Sequence, residues 1–120
     1  MIVPGVASPL RPVIAAFYET AHRMEPGWKP EDCARVLRHL LTSGGLQVEA
    51  TLSPHLDLVI DGRIGVAIFP SAAHLTETTR RRIRRALAAD GALEVVLIMA
   101  FVPRPRLVRV DAPLHRVGGG

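Results

Sequence analysis

The run Val95-Val96-Leu97-Ile98-Met99-Ala100-Phe101-Val102 is apolar at every position. It falls far short of the roughly 18–20 residues that a membrane-spanning helix requires, so it is sized for a strand. A strand with one face in water alternates polar and apolar residues. The stretch from Glu94 to Val102 does not alternate, which marks a central strand with apolar neighbours on both faces. The chain must therefore cover a sheet from two sides, and a layered α/β architecture with a mixed sheet follows.

The remaining segments supply those layers. Val13, Ile14, Phe17 and Ala21 repeat at helical spacing, and Glu19 with Arg23 forms an i,i+4 pair, so a helix is predicted from Val13 to about Met24. Pro30 followed by Glu31 and Asp32 opens a second helix, with Cys33, Val36, Leu37, Leu40 and Leu41 on its apolar face and Gly44-Gly45 at its end. Strands are predicted over Leu46–Leu52, His55–Ile60 and Arg63–Phe69, the last two joined at Asp61-Gly62, a dipeptide suited to a type I′ turn. A third helix is predicted from Leu75 to Ala89, then the central strand, then a shorter edge strand from Arg106 to Val110. The order is ααβββαββ.

With 120 residues the chain has room for one core, burying roughly two-thirds of its unfolded surface. Residues 13–112 are read as a single domain, preceded by an extended, proline-bearing arm at 1–12 and followed by a flexible glycine-rich tail at 113–120. The opening Met1-Ile2-Val3-Pro4-Gly5 has no positive n-region and is interrupted by Pro and Gly, which argues against a signal peptide. A single cysteine, Cys33, excludes an internal disulfide and a cysteine-based zinc site, and it suits a reducing compartment. A cytoplasmic location is expected, with no membrane partner and no small-molecule cofactor. The net charge of +4 permits contact with polyanions without specifying it.

The stretch Val13-Ile14-Ala15-Ala16-Phe17-Tyr18-Glu19-Thr20-Ala21-His22-Arg23-Met24-Glu25-Pro26-Gly27 resembles the opening of the GxxExxY proteins, which typically read I-I-G-A-A-I-E-V-H-R-E-L-G-P-G. The similarity continues through Ala34 to Leu41, Gly45-Leu46-Gln47-Val48-Glu49, Leu56-Asp57-Leu58-Val59, and Gly91 to Val110. The resemblance implies the PD-(D/E)XK nuclease-like fold, in which an acid on the second strand and an acid-x-Lys on the third build a magnesium site. The acid and the lysine stand two apart because only i and i+2 of a strand share a face. Asp57 matches the first acid. Ala67 falls where the second acid belongs and Phe69 where the lysine belongs. Pro30 and Cys33 replace the Glu and Tyr of the family's naming motif, Glu31 lies one position over, and the segment between the first two strands is short.

A methyl group and a phenyl ring neither hold a hard cation nor activate water. The expectation is therefore a catalytically inactive nuclease-like domain, without metal, acting as a protein-interaction or self-assembly module. Ala67, Phe69 and Val59 are expected to form an apolar floor or docking face where the chemistry stood. The alternative is a Mg²⁺-dependent DNA nuclease with a rearranged site built from Asp57 and Glu49. Arg80, Arg81, Arg82, Arg84 and Arg85 form the strongest remaining feature, read either as a solvated helix face or as a contact for nucleic acid or an acidic partner. Without neighbouring aromatic residues, any nucleic-acid contact there would be non-specific and salt-sensitive. A protein partner or a second copy is favoured over nucleic acid. His22, His39, His55, His74 and His115 show no metal-ligand spacing, Cys33 is read as a core residue, and Trp28 as a lid on the core.

Overall fold

The computed structural model describes residues 10–50 and 55–112. The tail at 113–120, most of the arm, and the Thr51 to Pro54 end of the first predicted strand and its turn lie outside the described residues. Helix α1 spans Leu10–Arg23, so the last three residues of the predicted arm are helical. Pro12 is tolerated there because the N–H groups of a helix's first turn have no intrahelical acceptor. Val13, Phe17 and Thr20 are its buried residues, and the Thr20 hydroxyl donates to the Ala16 carbonyl at 2.8 Å, so this polar group enters the core satisfied. Helix α2 spans Pro30–Ser43. The Asp32 carboxylate accepts the Lys29 N–H at 2.8 Å at its start, and Cys33, Leu37 and Leu41 are buried at four-residue intervals.

Five strands follow: β1 (Val48–Ala50), β2 (Leu58–Ile60), β3 (Ile64–Phe69), β4 (Val95–Ala100) and β5 (Arg106–Asp111), lying in the order β1-β2-β3-β4-β5. Helix α3 (Glu77–Asp90) carries the chain from β3 to β4, which run parallel, and the other neighbours are antiparallel. The result is a mixed α/β fold. β1 begins two residues later than its alternation predicts, and β2 begins three residues later. Leu46 does not join β1 because its N–H turns back to the Leu41 carbonyl and closes α2. Likewise α3 begins two residues late: Leu75 ends a 3₁₀ turn at Ala72–His74, and the Thr76 hydroxyl caps α3 by accepting the Thr79 N–H at 3.2 Å.

Asp61 and Gly62 both have positive φ, 52° and 67°, as the predicted turn requires. Pairing starts at Ile60 opposite Ile64, so Arg63 belongs to the connection rather than to the returning strand. Its carbonyl accepts the Glu94 N–H, and its guanidinium meets the Glu94 carboxylate at 2.8 Å, tying the hairpin to the entry of β4.

All six residues of β4 are buried, as the uninterrupted apolar run demands. Val95, Leu97 and Met99 face α1 and α2 in one cluster with Phe17, Leu37 and Leu41. Val96 and Ile98 face Ile83 and Leu87 of α3 in another. Gly65 makes the α3 side possible: a Cβ there would stand 3.1–3.2 Å from the side chains of Leu56, Leu93 and Val96. Among the described residues no helix is long and apolar enough to cross a membrane.

Candidate functional site

Strand alternation places Glu49, Val59, Ala67 and Phe69 on the α3 face of the sheet. Val59 pairs with Gly65 across β2 and β3, and Glu49 pairs with Val59 across β1 and β2. Gly65, Ala67 and Phe69 are two apart and share that face, whereas Asp57 precedes β2, where it is Leu56 that packs on the α3 side. The fold thus brings Glu49, Val59, Ala67 and Phe69 onto one surface, with Asp57 at its border, bonded to the β3 backbone.

What that surface offers differs sharply from residue to residue. Ala67 is 1% exposed, packed among Ile83, Leu87, Val96 and Ile98. Val59 and Phe69 are half-buried at the margin of the same cluster. The Phe69 ring stacks on the His74 imidazole with centroids 6.2 Å apart, and His74 sits in the 3₁₀ turn that leads into α3. The predicted floor is therefore closed at Ala67 and accessible in part at Val59 and Phe69.

Asp57 is engaged by the backbone of β3. Its N–H donates to the Val66 carbonyl at 2.7 Å, and its carboxylate accepts the Ile68 N–H at 2.7 Å. These two bonds tie Asp57 to β3 just before β2 begins, with its N–H on Val66, the residue that Leu58 also faces. The residue reaches solvent, but protein screens its carboxylate. Desolvation raises the carboxyl above the usual aspartate range, and the Ile68 N–H opposes that rise. Glu49 is exposed on β1. Among the described residues no group of three or more His, Cys, Asp or Glu side chains is placed to hold a metal ion. The donor set does not fit a divalent cation: one carboxylate is already bonded to the backbone, the other stands on a neighbouring strand, and Ala67 has no oxygen to contribute.

The outer surface of α3 is basic. Arg81, Arg82, Arg84 and Arg85 are exposed, whereas Arg80 is half-buried. Glu77 meets Arg80 at 3.4 Å and Arg81 at 3.9 Å. Arg80 departs from the solvated row in another respect, since its Nε is enclosed and without a hydrogen-bond partner. Arg82, Arg84 and Arg85 make no ion pair among the described residues, and Arg81, Arg84, Arg85 and Ala88 line a shallow groove of about 250 Å³.

Cys33 is 2% exposed, with its Sγ 3.8 Å from the Met24 sulfur, and burial pushes its thiol up. Trp28 is half-buried against the α1–α2 cluster, as a lid would be. It also lines an open groove of about 490 Å³ with Arg23, Arg35, Val36 and His39. The sequence did not reveal that groove, because its residues come from the end of α1, the following turn and the outer side of α2. His22, His39, His55 and His74 are all exposed, and His115 lies outside the described residues. No protein-family model, no curated protein and no solved structure matches the chain.

Proposed function

We propose that the chain is a non-catalytic, cytoplasmic domain of PD-(D/E)XK-like architecture that works as a protein-interaction or self-assembly module. The burial of Ala67 carries this reading. At the position where the resemblance calls for a metal-binding acid, a methyl group lies 1% exposed beneath α3. The order ααβββαββ, with helices on both faces of a mixed sheet, agrees with the implied scaffold. The bond from Ile68 N–H to the Asp57 carboxylate gives that acid a structural task in the β2–β3 pair. Non-specific contact with nucleic acid through the exposed arginines of α3 is a secondary property of the module, electrostatic and salt-sensitive.

One observation favours the competing Mg²⁺-dependent nuclease: Glu49 pairs with Val59, two residues along the chain from Asp57. The decisive experiment incubates the protein with plasmid and single-stranded DNA in Mg²⁺ and in Mn²⁺. It also measures solution mass and duplex affinity at low and high salt. The module predicts no cleavage, association in solution, and weak duplex binding that fades with salt. Metal-dependent cleavage abolished by Asp57→Ala would overturn it, as would a strict monomer that binds duplex DNA with a steep salt slope.

A further inference from the structure

We propose that two copies of the chain pair along β5, antiparallel, in the register centred on Val110 that sets Arg109 of each copy opposite Asp111 of the other. The proposal rests on the self-assembly reading above and names its surface. β5 is the last strand of the sheet, at the edge opposite β1. β5 carries no proline within Arg106–Asp111, and among the described residues no strand pairs with its outer edge.

The direction of the backbone groups limits the possible registers. The Ala112 N–H donates inward to the Glu94 carbonyl at 2.9 Å. In an antiparallel ladder successive residues alternate between bonding one neighbour and facing away. Val110, Val108 and Arg106 therefore bond inward to β4 with Ala112, while Leu107, Arg109 and Asp111 direct their N–H and C=O groups outward. A second β5 related by a two-fold axis perpendicular to the sheet must match outward residues to outward residues.

Charge then selects among the matches. Centring the axis on Arg109 or on Asp111 places like charges directly opposite, which is unfavourable. A centre at Val108 sets Arg109 against Leu107. The centre at Val110 alone sets Arg109 against Asp111, twice by symmetry, and each of these is a hydrogen-bonded pair of the new ladder. Arg109 and Asp111 already meet within the strand at 2.8 Å, with side chains 55% and 60% exposed, so both are on one face and free to bond outward. On the opposite face Val110 is already buried within its own chain, and the same register sets the half-buried Val108 against Ala112 at the margin of the apolar layer beneath α3.

The test is a charge swap read by sedimentation over a wide concentration series, with circular dichroism confirming the fold of each variant. Arg109→Asp alone and Asp111→Arg alone are each expected to raise the dimer dissociation constant by about tenfold or more, because each turns two attractive cross-strand pairs repulsive. The double variant Arg109→Asp with Asp111→Arg restores wild-type association, and so does mixing the two single variants. A wild-type chain that stays monomeric overturns the proposal, as do single variants that associate like wild type or a double variant that fails to recover. These outcomes are independent of the nuclease assay: cleavage of DNA would overturn the non-catalytic reading, whereas a non-cleaving chain that associates regardless of the charge swaps would sink only the pairing of β5.

Discussion

Replacing Asp57 separates a structural carboxylate from a metal ligand. Asp57→Ala removes the acceptor of the Ile68 N–H, a bond of 2.7 Å to a charged oxygen. Such bonds contribute about 1.5–3 kcal/mol when sheltered, and because Asp57 reaches solvent the lower end applies, about 1–2 kcal/mol of lost stability. Asp57→Asn keeps an amide oxygen in the same place and removes the charge. Because the folded carboxyl titrates above its ordinary value of 3.8, the protonated form is favoured by folding. The stability this supplies is present in full below that value and is lost as pH rises through the folded pKa. At pH 7 the wild-type chain holds a partly desolvated charge that the asparagine variant lacks. Asn is therefore expected to equal or exceed wild type at pH 7, and any advantage shrinks as the medium is acidified toward pH 4. Urea unfolding at the two pH values reads all three proteins, and adding Mg²⁺ should move none of the midpoints, since a ligand stabilises only the state that binds it. An alanine variant as stable as wild type, or an asparagine variant as damaged as alanine, would refute the structural role.

Gly65→Ala should destabilise the fold by about 1–3 kcal/mol in urea unfolding, because a Cβ at 3.1–3.2 Å from Leu56, Leu93 and Val96 forces buried side chains apart. Cys33 should react with a thiol reagent in the native protein far more slowly than in the unfolded one, since it is 2% exposed and burial raises its thiol pKa; labelling followed against denaturant checks this. Changing Arg82, Arg84 and Arg85 to Gln together should leave stability within about 0.5 kcal/mol per site of wild type, as exposed residues without ion pairs contribute little. The same triple variant should show weaker binding to duplex DNA at low salt and a shallower dependence on salt.

The sequence made the layers legible because their signals are local. The unbroken apolar run from Val95 forced a strand covered on both sides, and it is buried along all of β4. Pro30, Glu31 and Asp32 marked the start of α2, and Asp61-Gly62 marked the hairpin. Boundaries set by tertiary bonds escaped. The N–H of Leu46 is taken by the end of α2, and Arg63 is held in the turn by its bonds to Glu94, which lies far along the chain. The candidate site divides the same way. Periodicity placed Ala67 and Phe69 on one face and the resemblance singled out Asp57, but the partner of the Asp57 carboxylate is a backbone N–H on the adjacent strand, which no spacing announces. The groove beside Trp28 was hidden for a related reason, since α1 and α2 must pack before Arg23 and His39 become neighbours.

The two faces of the sheet are covered unequally, α1 and α2 on one and α3 on the other. Five strands spaced about 4.8 Å apart make a surface broader than one helix about 10–12 Å across can cover. Among the described residues α3 lies against β4 and β5, and Glu49 and Ala50 of β1 are exposed. The molecule should consequently open in stages. Backbone amides of β1 and β2 should trade hydrogen for deuterium through brief, local separations of the short hairpin, whereas those of β4 should wait for the whole chain to come apart.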